Sequence, residues 1–200
     1  MKKLLFIINF LFFLGANAQE KWTEESSKLY QEKLNIEYAT EGKSPLRDED
    51  LAVFKSLDFF PINSKFAVEA TFVRTENEKV FKMKTSTARL PEYVKYGEFH
   101  FIIDNVVYKL NVYQNIDLTK KEGYEDYLFL PFSDFTCGKE SYIGGRYIDM
   151  KIPKSETIII DFNTAYNPYC AYNHKYSCPI VPLENDLNIE IRAGVKKFHD

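Results

Sequence analysis

The residues of this chain whose types and spacing could do chemistry lie between Asp134 and Asn185. The stretch reads DFTCGKESYIGGRYIDM and, after a short interval, DFNTAYNPYCAYNHKYSCPIVPLEN. Cys170 and Cys178 stand eight apart, while Cys137 stands alone. In an oxidising compartment the pair predicts a disulfide, a staple that stabilises so short a loop by roughly 2–3 kcal/mol. The competing arrangement is a metal site, because Cys170, His174 and Cys178 offer three soft ligands at even spacing and Cys137 would complete a tetrahedral set. Pro168 and Pro179 bracket that stretch and disfavour the helix that would put all three ligands on one face. The disulfide is therefore the expectation, and no metal is assigned. A thiol nucleophile with His100 or His174 as its base is a third chemistry, unsupported by any spacing in the chain.

Gly144-Gly145-Arg146-Tyr147-Ile148-Asp149 is the second unusual run. Two glycines entering a strand permit a sharp bend or the close approach of another backbone or a ligand. Arg146 is a rigid fork for a carboxylate or phosphate. An internal salt bridge to Asp161 or Glu184 competes with ligand binding for it. Arg146 and Asp149, three apart on a strand, point to opposite faces and do not pair with one another. The third run is Asp161-Phe162-Asn163, followed by Tyr166-Asn167-Pro168. Asn and Asp bond their own backbone in tight turns, which accounts for Asn167 before Pro168. Asp161 ends the apolar run Ile158-Ile159-Ile160 and must solvate or pair its charge.

These residues assemble into an expectation of a ligand site built from Arg146, Tyr147, Asp161, Asn163, Tyr166 and Glu184. Its occupant would be a small polar or anionic molecule. A carboxylate-dependent hydrolase drawing on Asp134, Glu140 or Glu184 is the alternative. A purely structural or interaction role for the cluster is another. The chain contains no phosphate-cradling loop, H-E-x-x-H, G-x-S-x-G or nucleotide fingerprint, so no cofactor is expected.

The elements that must position these residues are mostly strands. Thr23 to Ala39 is the one convincing helix, capped by Thr23, with Glu24 and Glu25 at its positive end and Gly42 soon after its stop. Trp22, Leu29, Tyr30, Leu34, Ile36 and Tyr38 give it a rough apolar stripe. A shorter helical turn is expected at Asp48 to Phe54. From Phe59 onward the period becomes two. Phe66, Val68, Ala70 and Phe72 alternate as in a half-buried strand, with Val80 to Lys84 as its return. Glu98 to Tyr113 is a hairpin turning at Asp104-Asn105, two residues that tolerate positive φ. Further strands are expected at Tyr127 to Leu130, Arg146 to Ile152, Thr157 to Phe162 and Leu187 to Ala193. With no βαβ rhythm, the chain reads as mainly β, an antiparallel barrel- or sandwich-like sheet with an N-terminal amphipathic helix.

Residues 1–18 read as a signal peptide. Lys2 and Lys3 precede the apolar run Leu4 to Leu14, and Ala16-Asn17-Ala18 supplies the small-x-small cleavage pattern. The run is too short for a stable span, so a periplasmic or secreted protein starting at Gln19, without an integral membrane span, is expected. Residues 19–200 then form a single β-rich domain. Without the two signal lysines the balance is 24 basic against 29 acidic residues, which argues against a nucleic-acid partner. Aromatic residues make up 16% of the chain, with 14 Tyr and 17 Phe, a composition that favours pleated surfaces.

The same runs resemble a bacterial family catalogued as a domain of unknown function. Its PF-D-T-G…GRY-x-D, DFN-x-AYNP-x-CA and C-P-x-x-P-x-EN segments map onto Pro131 to Asp149, Asp161 to Tyr172 and Cys178 to Asn185. Upstream, Leu57 to Pro61 is similar to its GL-x-(Y/F)FP signature. Ile143 stands where the family often has glycine, Cys137 is an insertion relative to the pattern, and His174 lies outside it. The resemblance implies no reaction. It implies that the polar residues of the C-terminal third act together as one structural and binding nucleus.

Overall fold

The computed structural model describes residues 21–198, so the signal peptide expected at residues 1–18 lies outside the described residues. Helix α1 spans Glu24–Ala39. Thr23 caps it as expected, its Oγ1 accepting from Ser26 N at 3.1 Å while the Ser26 hydroxyl accepts from Thr23 N. The buried stripe differs from the apolar one. Ser27, Leu34 and Tyr38 face inward, whereas Leu29 and Ile36 are exposed. A polar tertiary partner for Ser27, described below, outweighs hydrophobicity at that position. A single helical turn, α2, follows at Asp48–Leu51.

The rest is an eight-stranded sheet curled into a half-barrel, in the order β6-β5-β4-β3-β1-β7, with β2 on β3 and β8 on β5. The strands are β1 Ala67–Arg74, β2 Phe81–Lys82, β3 Glu92–Ile103, β4 Val106–Asn115, β5 Tyr127–Asp134, β6 Arg146–Lys151, β7 Thr157–Asp161 and β8 Asp186–Leu187. All ladders are antiparallel except β5–β8. The β3–β4 hairpin turns at Asp104 (φ 51°) and Asn105 (φ 62°), the two positive values that a twist-compatible two-residue turn requires.

Two strand expectations change. The Val80 to Lys84 return is short and pairs with β3 rather than β1. Leu187 to Ala193 is not a strand: only Asp186–Leu187 joins the sheet. The backbone groups beyond it are taken by side chains instead of a ladder. Ile191 N donates to Asp134 Oδ2 at 3.2 Å, and the Ile191 and Ala193 carbonyls accept from Arg146.

Alternation divides the sheet into two faces. Phe99, Phe101, Leu110, Val112, Leu130 and Ile148 fill the concave core. Tyr93, Tyr113, Phe129 and Tyr147 cluster separately with Met83. A third cluster joins Leu34 and Tyr38 of α1 to Tyr172 and Val195. Helix α1 and the loops of residues 166–179 thus cover the face opposite the main core, and this is where a recess opens.

Candidate functional site

The residues singled out by sequence do not form one site. Arg146 is fully buried and ion-paired, Nη2 to Asp134 Oδ2 at 2.6 Å, with both side chains at 0% exposure. The same nitrogen donates to the Ile191 carbonyl at 2.8 Å and to Thr136 Oγ1 at 3.4 Å, and Nη1 donates to the Ala193 carbonyl. Phe132 and Phe60 flank the guanidinium, 5.1 and 5.8 Å from it to the ring centroids. The partner is Asp134, not Asp161 or Glu184, and neither side chain has exposed surface for a ligand to meet. Asp134 also accepts from Thr136 through Oδ1, and the Thr136 hydroxyl meets Ser141 at 2.7 Å. The D-x-T…S…GR residues are therefore one buried network fastening the C-terminal segment to β5 and β6.

Asp161 and Asn163 belong to a second network, at the root of α1. Asp161 Oδ2 accepts from Ser27 Oγ and from Trp22 Nε1 at 3.1 Å, while Oδ1 accepts from the backbone and side-chain amides of Asn163. Asn163 in turn accepts from Asn63 N at 2.9 Å, and its carbonyl accepts from Gln31. Glu184 is exposed in the turn before β8. Asn185, beside it, is buried and bridges β4 and β5. Asn167 holds the Lys196 carbonyl at 2.8 Å. Asn163, Asn167 and Asn185 thus spend their side-chain amides on backbone carbonyls.

Tyr147 and Tyr166 are placed differently. Alternation along β6 turns Arg146 and Ile148 into the core and Tyr147 and Asp149 to the opposite face. There they line a cleft of about 370 Å³. Its floor comes from Tyr127 and Phe129 of β5 with Tyr147 and Asp149 of β6; Tyr93 of β3 adds one side. Helix α1 contributes Tyr30, Leu34 and Glu37, and the covering loop contributes Tyr166, Tyr169 and Ser177. Tyr147 is held by a reciprocal backbone pair with Tyr166 (2.9 and 3.0 Å) and by its hydroxyl on the Pro179 carbonyl.

Asp149 is the polar centre of this cleft. Oδ1 accepts from Tyr127 at 2.7 Å and from Tyr166 at 2.6 Å. Oδ2 receives no hydrogen bond among the described residues, and the side chain is open to solvent. Desolvation among the surrounding rings raises the Asp149 pKa above the ordinary carboxylate value; the two tyrosine hydrogen bonds oppose that rise and Glu37 adds to it. Burial also raises Tyr30, Tyr127, Tyr147 and Tyr166, so their hydroxyls remain protonated donors at neutral pH.

The cysteines are free thiols, which corrects the expected Cys170–Cys178 disulfide. They meet through a hydrogen bond instead: the Cys170 N–H donates to Cys178 Sγ at 3.1 Å. The neighbouring Cys178 thiol lowers the Cys170 thiol to about 6 and is itself raised. Cys137 packs against Asp134 and Ser141. Among the described residues no three His, Cys, Asp or Glu side chains converge to hold a metal.

Sequence reasoning missed Asp149, Tyr127, Tyr30 and Glu37 as members of a site. For Asp149 the signal was present, since alternation sets it beside Tyr147 and away from Arg146. For Tyr30 and Glu37 none was, because their placement depends on how α1 docks.

The family model described as Protein of unknown function (DUF1684) matches residues 52–196, a span that begins after α1. The solution NMR structure of an uncharacterised protein of Haloarcula marismortui is similar at 29% identity and a TM-score of 0.67, covering 86% of this chain and 93% of the other. No curated protein matches. Among the described residues no helix is long and apolar enough to cross a membrane.

Proposed function

The chain belongs to that family of unknown function, and we propose that it is a small-molecule binding module whose site is the tyrosine-lined cleft over β5 and β6. The observation that carries the reading is Asp149: a carboxylate fixed through one oxygen by two tyrosine hydroxyls, with its other oxygen free in the cleft. A few fixed polar groups among apolar and aromatic walls are what a ligand pocket needs for orientation and affinity. Tyr147 and Tyr166 remain in the proposed site. Arg146, Asp161, Asn163 and Glu184 lie outside it, the first three as framework.

The test is a fragment library of mixed charge, screened on the purified protein by amide chemical-shift mapping. Hits should move the resonances of Tyr147, Asp149 and Tyr166 and be weakened by Ser177→Trp, which fills the cleft. A silent screen, or hits that map elsewhere, would sink the reading.

The raised Asp149 pKa with Glu37 in the same cleft favours a second reading, carboxylate-dependent hydrolysis. It requires turnover of an ester or glycoside that disappears in Asp149→Asn while the fold persists. Export is part of the same proposal, supported by the composition of residues 1–18. N-terminal sequencing of exported protein should then begin at Gln19.

A further inference from the structure

Resting on the binding reading, we propose that the cleft selects an organic ammonium ion, a protonated amine or a quaternary ammonium group. The two charged groups in its lining are both carboxylates, Asp149 at the floor and Glu37 from α1. Among the described residues no Lys, Arg or His lines the cleft. Arg89, whose charge reaches Tyr93 and Cys178, is exposed, is not among the lining residues and spends its hydrogen bonds on Ser177 Oγ and the Ser177 carbonyl. An anion entering here meets two carboxylates and no cationic lining residue to pair with.

The walls supply what a cation with an apolar body needs. Tyr30, Tyr93, Tyr127, Tyr147, Tyr166 and Tyr169 all border the cleft. Aromatic faces attract ammonium groups through their quadrupole, more strongly where water is excluded. Asp149 Oδ1 is occupied by two hydroxyl donors, so the vacant Oδ2 is the acceptor left for an N–H or an N-methyl shell. A hard metal ion is the poorer fit, since it demands six or more oxygens in a converging shell and only two carboxylates border the cleft. A neutral sugar could stack on the rings, yet would leave the paired carboxylates uncompensated.

Isothermal titration with four probes separates these chemistries: benzylamine, tetramethylammonium, benzyl alcohol and benzoate. Benzylamine should bind at least tenfold more tightly than benzyl alcohol, tetramethylammonium should bind, and benzoate should not. Asp149→Asn preserves an acceptor for both tyrosines; it should cost the cations tenfold or more and leave benzyl alcohol unchanged. Glu37→Gln, on an exposed helix position, should cost them about threefold, and a thermal melt confirms that each variant is folded. Equal affinity for benzyl alcohol and benzylamine, or undiminished cation binding in Asp149→Asn, overturns the ligand class while the binding module stands. Binding by none of the four also overturns it, and the module reading falls as well only if the wider fragment screen is silent.

Discussion

The side-chain amide of Asn185 donates to the carbonyl of Pro131 at 2.6 Å, across a point where the sheet cannot bond to itself. β4 and β5 register at Tyr113 with Phe129, which sets Asn111 opposite Pro131. Proline has no N–H to return, so a direct ladder would fail there. Asn185 takes its place: Nδ2 also donates to Asn111 O at 2.8 Å, and Oδ1 accepts from Asn111 N at 2.9 Å. Replacement by leucine orphans three buried backbone groups. Asn185→Leu should therefore cost about 2–4 kcal/mol in chemical denaturation. A loss below about 1 kcal/mol would mean that water or a rearranged ladder replaces the bridge.

Asp134 and Arg146 form the other internal fastening, with neither charge exposed. Removing one partner strands the other charge, at a cost of about 3–5 kcal/mol. Asp134→Asn and Arg146→Met should each destabilise to that degree, and the double variant should cost much less than their sum. Additive losses in the denaturation cycle would show that the two act independently.

Helix α1 hangs on Asp161 through Ser27 and Trp22. Ser27→Ala removes two part-buried hydrogen bonds, the one it donates to Asp161 and the one it accepts from Trp22 Nε1 at 2.8 Å, together worth about 1–2 kcal/mol. The loss should be local. Hydrogen exchange of Glu24–Ala39 should accelerate severalfold while the β3–β4 hairpin keeps its protection. If both regions loosen equally, α1 is not a separable unit and the cleft wall it forms cannot open alone.

The hairpin was legible because Phe99, Phe101 and Ile103 alternate and Asp104-Asn105 is a turn with a mechanism. The helix start was legible from Thr23 and its acidic first turn. What could not be read were choices made between distant elements. Nothing local makes Ser27 a better core residue than Leu29; Asp161, 134 positions away, does. Arg146 selected Asp134 because the two strands that carry them are neighbours, and that pairing is absent from any one segment. The eight-residue cysteine spacing suits a bridge as well as it suits the hydrogen-bonded thiols observed. The cleft is not legible because its walls come from six separate stretches, each ordinary by itself.

The thiol state is open to direct counting. With three free cysteines, protein unfolded without reductant should take up three equivalents of an alkylating agent. An uptake of one would restore the Cys170–Cys178 bridge. Cys178→Ala should also move the pH profile of Cys170 alkylation upward from about 6, because the donor that stabilises the thiolate is gone.

Asp149 makes the cleft sensitive to pH in a predictable direction. The titratable groups facing it are Tyr30 and Glu37 from α1, Tyr93 from β3, Tyr127 from β5, and Tyr166 and Tyr169 from the covering loop. The tyrosines stay protonated across the acid range, so carboxylates alone change charge there. Desolvation by the enclosing rings raises the Asp149 pKa above the unperturbed ~3.9, although the side chain keeps exposed surface in the cleft. A group raised on folding stabilises the native state below its unfolded pKa, and that contribution is lost as pH rises through the folded value. Stability of the free protein should thus decline across that window, and Asp149→Asn should flatten the decline. Affinity for tetramethylammonium, which does not titrate, runs the other way. It should weaken as pH falls through the raised Asp149 pKa, because protonation discharges the acceptor. Titration calorimetry across that range should show the trend in the native protein and its loss in Asp149→Asn; an unchanged slope in the variant would overturn the assignment of the pH response to Asp149.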